Sequence, residues 1–563
     1  MAQNVILSET KKSLLAELEQ RVSDKILEPS NAALLCKLIT AAENDDEALA
    51  IAALGTTYKR TGFHWDKRLE KMSDTIKYFR RNDALSFGEA KDGEPVHKLI
   101  IGDNYDALQN LLIEYRGRVD VIYIDPPYGK DSMGESAETN YENAISRDNL
   151  LSMLYFRLQL AKQLLSDEGV IFCSIDDKNQ AYIKCLFDEV FKESSYVATL
   201  TVESSVIAGP RRVPAMQGSI VKTAEYCLVY CKSGNNKIMK KLKYDFIDGF
   251  DTHYSNWLDE TNRTIVSFND FMKSNLTIAS AFESCGLEVS IQNLGNLVSI
   301  NQAAKEWLYS KEIASHLYRL SEKASINNPT DYPMYKMFQI DNKWYIRTEN
   351  EVINVFRYAD RIGYCDDYFN RFGERTVRGN LWKGFSSDGG NLDKEGFVSF
   401  KGGKKPLRLI KQLIDSVCLS NESIILDFFA GSGTTGQAVL ELNKEDNGKR
   451  TYILCQLNEI TDSTPNGIAY DVTSKRLKRV MTGKCYDGAS TFKGIRGFQP
   501  YGGKLEVYEI AEISSSSATA GKTPFDVIDE TLYGREKFKT AREKIDWVCS
   551  NFAHTQMVEP KDD

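Results

Sequence analysis

Residues 119–128 read Val-Asp-Val-Ile-Tyr-Ile-Asp-Pro-Pro-Tyr, an apolar strand that runs straight into a stiff turn carrying chemistry. Two consecutive prolines have no N–H to donate and hold their backbone rigidly. They aim the Asp125 carboxylate and the Pro126 carbonyl at one point, and Tyr128 adds a flat aromatic face. Two converging acceptors suit an exocyclic amine with two N–H donors, and the ring suits a planar heterocycle. A strand followed by a rigid turn is the bland alternative. Four specified residues directly after a strand, where that chemistry needs them, favour the functional reading.

Working outward, KLIIGDN (98–104) and GVIFCSIDD (169–177) are further short apolar runs ending in acidic or turn residues, and a helical stretch, Asn149–Leu165, precedes the second. Strands of near-continuous hydrophobicity alternating with helices predict a parallel sheet covered on both faces. SYVATLTVE (195–203) and TAEYCLVYCK (223–232) follow without a long helix between them, so one of the pair is expected to run antiparallel. From about Gly234 to Phe397 the rhythm stops, and aromatic and basic residues interleave: Tyr244, Phe246, Trp257, Tyr335, Trp344, Tyr345, Arg347, Arg357, Arg361, Arg371, Arg375 and Arg378. This reads as an inserted domain. The α/β pattern returns in SIILDFFAGSGTTGQAVLEL (423–442) and RTYILCQLNE (450–459).

The second of these segments holds Asp427-Phe428-Phe429-Ala430-Gly431-Ser432-Gly433-Thr434-Thr435 at a strand-to-helix turn. Glycines there let a ligand approach the backbone, and the helix N-terminus favours a carboxylate or phosphate. The turn lacks the Gly-Lys-Ser/Thr ending of a P-loop and the intact dinucleotide spacing. Glu459, one βα unit later, is placed to accept from ribose hydroxyls. A solvated glutamate is the reading it would have without the glycine turn.

Elsewhere the signals are weaker. Residues 1–80 read as helices, with Ser8 capping a segment whose Leu14, Leu15, Leu18 and Val22 share a face, and Ser30 opening a second; a packing or dimerisation module is expected there. SSSSATAG (514–521) reads as a linker. Asp176 and Asp177 end a core strand and either border the pocket beside Asp125 or cap the next helix. Cys227 and Cys231 lack a second ligand pair, and the five histidines form no pair at metal spacing, so no metal site is expected.

The chain has 563 residues, 42% of them apolar and 27% charged, which suggests about three or four structural units. Disordered and collagen-like classes are excluded, and no apolar run is long enough to span a membrane. The N-terminus has neither the basic nor the apolar region of a signal peptide, and eleven scattered cysteines suit a reducing compartment. The net charge of −8 argues against nucleic acid, but residues 201–400 are charge-balanced and locally basic, as at Lys232, Lys237, Lys240, Lys241 and Lys243.

DPPY together with DFFAGSGTT resembles the amino-methyltransferases that modify adenine or cytosine in DNA with S-adenosylmethionine. The order of the two motifs, with a long insert between them, is similar to the β group of that family. GDNYDAL, VDVIYIDPPY, RLQLAKQLL, EGVIFCSIDD, EYCLVYCK, KGGKKPLRLIKQLI and YILCQLNE extend the resemblance to the modification subunit of type III restriction–modification systems, over roughly residues 97–235 and 396–475. The resemblance implies a doubly wound α/β fold with a mostly parallel seven-stranded sheet. Its divisions would be a helical region (1–80), a catalytic half (81–235), an inserted target-recognition domain (236–395), a cofactor half (396–475) and a C-terminal extension (476–563). Asp125 and Pro126 would bind the target amine, Pro127 would stiffen the turn, and Tyr128 would stack on a flipped base. Phe429, Gly431, Gly433, Thr434 and Thr435, with Asp427 and Ser432 of the same turn, would surround the methionine part of S-adenosylmethionine. Glu459 would hold its ribose, Asp103 its adenine, and Lys405 its carboxylate. Phe428 stands where the family usually has proline, and GGKKP extends the family's Lys-Pro element, leaving open which lysine makes the contact.

The implied activity is methylation of adenine N6 in double-stranded DNA, by direct displacement after the base has left the stack. Cytosine N4 methylation is the alternative, and a recognition subunit for a restriction helicase–nuclease a third. The expected partners are double-stranded DNA, a second copy of the chain and a restriction subunit, with no membrane. The expected location is the bacterial or archaeal cytoplasm, at the nucleoid.

Overall fold

The computed structural model of the chain describes residues 8–23, 29–55, 75–128, 147–390, 392–400, 404–418 and 420–514. Two units are distinguished, Met1–Asp66 and Lys67–Asp563. In the first, helices α1 (Glu9–Ser23), α2 (Pro29–Ala41) and α3 (Asp45–Gly55) bury Leu18, Ile39, Ala42 and Ala48 among themselves. Ser8 caps α1 as its position suggests, its Oγ accepting from the Lys11 N–H at 3.2 Å.

In the second unit the apolar runs become strands: β1 (Thr75–Arg81), β2 (Val96–Ile101), β3 (Val119–Ile124), β4 (Leu165–Ile175), β5 (Tyr196–Glu203), β6 (Ala224–Cys231), β7 (Leu381–Trp382), β8 (Ile424–Asp427), β9 (Thr451–Gln456) and β10 (Lys504–Ser514). They form one sheet in the order β1-β10-β2-β9-β8-β3-β4-β6-β5-β7. Its centre, from β10 to β4, is parallel throughout. β6 runs antiparallel to both β4 and β5, so it is the reversed strand of the pair. Successive residues Leu99, Ile100 and Ile101, and Val121 through Ile124, are all buried, so both faces of the sheet are covered. The packing helices include α4 (Asn104–Tyr115), α5 (Arg147–Leu164), α6 (Gln180–Phe191), α7 (Leu407–Val417), α8 (Thr434–Asp446) and α9 (Lys475–Thr482).

The seven expected strands are β2 to β6 with β8 and β9, and they lie side by side. Three more extend the sheet, which corrects the expected domain limits. Residues 75–80, expected within the helical N-terminal region, belong to an edge strand antiparallel to β10; its outward Arg80 pairs with Glu509 at 2.8 Å. β10 lies in the supposed C-terminal extension yet runs parallel to β2, with Leu505 and Val507 fully buried. β7 pairs parallel with β5, so the chain rejoins the main sheet at Leu381, ahead of the expected limit at 395. Charged residues interspersed with apolar ones disguise these outer strands in sequence, because the apolar run that marks a central strand is broken. The proposed linker lies outside the described residues beyond Ser514.

The insert folds around its own antiparallel sheet, in the order Met337–Ile340, Lys343–Arg347, Val352–Arg357, Leu317–Ala324, Asn256–Asp259 and Thr264–Ser267. Helices between Phe268 and Ala314 bury Phe268, Phe282, Leu294 and Leu308 beside Trp257. Several of its arginines are internal struts. Arg378 donates to Asp245 at 2.7 Å and to Gln412 at 2.7 Å. Arg361 pairs with Asp251 at 3.0 Å and Glu374 at 3.1 Å, and the Arg357 guanidinium lies 3.4 Å above the Trp344 ring.

If β10 belongs to the folded core, Leu505→Ala will destabilise the protein by about 2–5 kcal/mol, read as a lower midpoint in urea denaturation. An unchanged midpoint would remove β10 from the core.

Candidate active site

β2, β9, β8 and β3 are consecutive neighbours, so their carboxyl ends emerge along one line. Asp103, Glu459, Asp427 and Asp125 stand at or just past those ends. β8 pairs directly with β3, Ile425 opposite Val121 and Leu426 opposite Ile122. Chain order reverses between these two strands, and that is where an open α/β sheet leaves a crevice. The crevice here is a cavity of about 710 Å³, lined by Asp103, Asp125, Pro126, Pro127, Tyr128, Lys405, Asp427, Phe429, Gly431, Ser432, Thr434, Thr435 and Glu459. Of the site residues expected from sequence only Gly433 is missing from the lining; it sits behind the turn as the N-cap of α8 with φ 79°.

On the β3 side the charges form a closed set. The Tyr128 hydroxyl donates to Asp125 Oδ1 at 2.8 Å, and Lys405 Nζ donates to the Tyr128 oxygen at 2.6 Å. The same ammonium lies 3.1 Å from Asp125 Oδ1 and 3.1 Å from Glu225 Oε2 on β6. Burial raises the Asp125 carboxyl above its usual range, and the Lys405 charge works against that rise. Lys405 itself is held above its ordinary value: burial opposes its charge, but two carboxylates outweigh burial. Glu225 is lowered, chiefly by Lys405. Asn179 fixes the tetrapeptide from behind, donating to the Tyr128 carbonyl at 2.8 Å. The ion pairs of Lys405 are therefore with the tetrapeptide side of the cavity. Its neighbour Lys404 donates to the carbonyls of Glu395 at 2.9 Å and Val398 at 2.5 Å.

On the β8 side the backbone of the glycine turn is pinned from several directions. Asp427 accepts from the Phe429 N–H at 3.0 Å and from Thr435 Oγ1 at 2.5 Å. Gln456 Oε1 accepts from the Gly431 N–H at 2.6 Å, and Thr473 donates to the Gly431 carbonyl at 2.6 Å. Gly431 has φ 52°, in the left-handed region where a side chain is strained. Phe428, which replaces the family's proline, is buried; its carbonyl accepts from Asn104 Nδ2 at 2.8 Å.

Sequence reasoning passed over the residues that hold this frame. Arg476 is completely buried beneath the turn, donating to Ser432 at 3.0 Å, Thr434 at 2.7 Å and Gln437 at 2.9 Å, with Glu395 as counter-ion at 3.3 Å. In the string KRLKRV it is one of four basic residues, and nothing local marks it out. Arg157 of α5 ties the Asp103 corner together: it pairs with Asp103 at 2.9 Å and donates to Asn104, which in turn reaches Phe428. Its stretch was recognised, its role was not.

Asp176 holds the turn that leads into α6, its Oδ1 accepting from the Asn179 N–H at 3.1 Å and Nδ2 at 3.0 Å, and neither Asp176 nor Asp177 lines the cavity. Cys173 and Cys227 are buried, and burial pushes the Cys227 thiol up to about 12. Neither is a nucleophile at neutral pH. His97 stacks on Tyr452 at 4.1 Å in the core, its pKa lowered to about 3 by burial.

Burial raises the Asp427 carboxyl to about 7, against 3.8 for a free aspartate. The folded state thus binds a proton more tightly than the unfolded chain. Stability contributed this way is complete below the unfolded value of 3.8 and is lost as pH rises through about 7. Relative to Asp427→Asn, the wild type will lose stability over that window in urea denaturation. A difference that stays constant with pH would contradict the raised carboxyl.

Residues 119–462 match the model of the DNA methylase family (N6_N4_Mtase), and residues 11–121 match one described only as an uncharacterised conserved protein. The chain is 27% identical over 419 residues to the probable type III restriction-modification enzyme HindVI Mod subunit of Haemophilus influenzae, covering 68% of this chain and 53% of that one. It is 27% identical over 421 residues to the StyLTI Mod subunit of Salmonella typhimurium, covering 68% and 57%. With the type II methyltransferase M.KpnI of Klebsiella pneumoniae the identity is 27% over 432 residues, covering 71% of this chain and 92% of the relative. The chain spans a little over half the length of the Mod subunits it matches. With the tetrapeptide strand, the insert and the glycine turn all inside the matched region, the chain belongs to the DNA methylase family.

Proposed function

We propose that the protein transfers a methyl group from S-adenosylmethionine to the N6 amine of an adenine swung out of double-stranded DNA, as the modification and recognition subunit of a restriction–modification system. One observation carries this reading: a tetrapeptide suited to an amine and a glycine turn suited to a cofactor line the same cavity, although they lie far apart in the chain.

The residues on the cofactor side fit that molecule. The positive φ of Gly431 and Gly433 keeps side chains off the turn, Glu459 offers a carboxylate to hydroxyl groups, and Asp103 offers a second acceptor at the far corner. Bound there, S-adenosylmethionine supplies an electrophilic methyl on a positively charged sulfur. The chain's own residues do the rest. Adenine's amine is a poor nucleophile because its lone pair is delocalised into the ring. Asp125 accepts from one N–H and the Pro126 carbonyl from the other, which draws the nitrogen toward tetrahedral geometry and localises the pair. Tyr128 presents its face to the base; stacking of this kind is worth about 1–3 kcal/mol and offsets part of the unstacking. The enclosed site strengthens these contacts by excluding water. Lys405 opposes the rise that burial imposes on Asp125 and so favours its ionised, accepting form.

The Mod subunits among its relatives support adenine as the target and a separate restriction subunit as a partner. A pair of chains, one reading the site through its insert and one transferring the methyl group, is the assembly this reading expects. Its place of action is the cytoplasm, on the cell's DNA. Cytosine N4 methylation would use the same acceptors on a different amine.

Incubation with labelled cofactor and DNA, followed by nucleoside analysis, should yield N6-methyladenine, and sequencing of modified bases in a host expressing the gene should map the site. Label confined to cytosine would overturn the choice of base, and no label at all would overturn the activity. Asp125→Ala should abolish transfer while cofactor binding persists; loss of cofactor binding instead would contradict its place on the amine side. Without its cationic neighbour Asp125 titrates higher, so Lys405→Met should move the acid limb of the methylation pH profile to higher pH. An unmoved limb together with lost cofactor affinity would place Lys405 on the cofactor.

A further inference from the structure

The segment joining β5 to β6, residues 204–222, reads SSVIAGPRRVPAMQGSIVK. It contains Arg211, Arg212 and Lys222 and no acidic residue, in a chain whose net charge is −8. It also exposes aliphatic side chains that a soluble surface normally hides: Val206 (53%), Ile207 (47%), Val213 (56%), Met216 (80%) and Ile220 (102%). The loop is ordered by its own backbone. A turn at Gly209–Arg211 leads into a short helix, Arg212–Met216, and Gly218 reverses the chain at φ 91°. Its two ends are tied together, the N–H groups of Ser204 and Ser205 donating to the Thr223 carbonyl at 3.0 and 3.2 Å.

The base of this loop is part of the cavity. Ser204, Ser205 and Arg211 line it together with Asp125 and Tyr128. Lys222 is already engaged with Asp177 at 3.5 Å, whereas Arg211 and Arg212 form no ion pair among the described residues. An apolar tip flanked by unpaired guanidinium groups, at the mouth of a pocket, has an obvious complement. Phosphates meet the arginines, and the apolar side chains fit the space between two base pairs, as in proteins that kink DNA with aliphatic wedges. An apolar protein groove would match the tip but not the pair of free cations beside it.

We propose that residues 204–222 form a wedge that enters the duplex at the target base pair, with Met216 and Ile220 filling the gap left by the departing adenine and Arg211 and Arg212 holding the flanking phosphates. This rests on the methyltransferase reading above and says how that site obtains its base. The loop lies between the two strands that carry Glu225 and the edge of the pocket, so entry of the tip and arrival of the base in the cavity are coupled by a short, stiff connection.

The test uses the full chain and a duplex holding the mapped site with 2-aminopurine at the target position, whose fluorescence rises when the base unstacks. Met216→Gly with Ile220→Gly should weaken binding to the matched duplex about tenfold and remove most of the fluorescence rise. On a duplex mismatched at the target pair, where unstacking is already cheaper, the same variant should bind within about twofold of wild type. Met216→Phe, which still fills the gap, should retain the fluorescence rise. Arg212→Ala should lessen the salt dependence of binding on both duplexes. An equal defect of the glycine variant on the two duplexes, or no defect on either, would overturn the wedge. Wild-type protein that methylates no duplex would overturn the methyltransferase reading instead.

Discussion

The parallel pairing of Ile424–Asp427 with Val119–Ile124 is the contact on which the site depends. Those strands belong to halves of the domain separated by the whole insert, and neither half presents a complete cavity. Once Ile425 faces Val121 and Leu426 faces Ile122, the register fixes where each strand ends. The two turns must then open side by side, because parallel strands deliver their carboxyl ends to the same edge. The burial of every residue from Val121 to Ile124 holds that register strongly, since a one-residue slip would exchange the two packed faces.

Bringing four strand ends together also concentrates acidic groups, and much of the surrounding structure manages that charge. Asp103 is met by Arg157, Asp125 by Lys405, and Asp427 by a backbone N–H and a hydroxyl. The different partners separate the roles. A lysine charge opposes the rise that burial imposes on a carboxyl, as at Asp125, whereas one met only by neutral donors drifts further toward protonation, as at Asp427. Arg476 performs a related service in the interior. Its guanidinium binds Ser432 and Thr434 from below and is neutralised by Glu395, so the turn is held by side chains from outside its own strand and helix.

Much of this was legible beforehand. DPPY after an apolar run, the glycine turn after another, and an acidic residue one βα unit later were each readable because the chemistry of a site constrains residue type at short spacing. Apolar continuity likewise marked the central strands. The outer strands β1 and β10 were not legible, because charged residues interrupt their apolar runs and their partners are distant in sequence. Nor were the struts: in the sequence Arg378 and Arg361 are only two of the basic residues interleaved through the insert, but they hold Asp245, Asp251 and Glu374. A guanidinium on the surface and one inside a salt bridge look the same in a string of letters.

The sequence by itself determined the local elements: which runs become buried strands, where the chain must turn stiffly, and which groups stand at those turns. These follow from hydrophobic pattern and backbone stereochemistry, which act over a few residues. Only the tertiary structure decided that Lys405 meets Asp125 and Glu225, that Arg476 lies under Ser432, and that the loop at 204–222 stands at the cavity mouth. Those facts depend on strand order and on the distances between side chains remote in the chain. Charge pairing and burial act through space, and spacing along the chain does not record it.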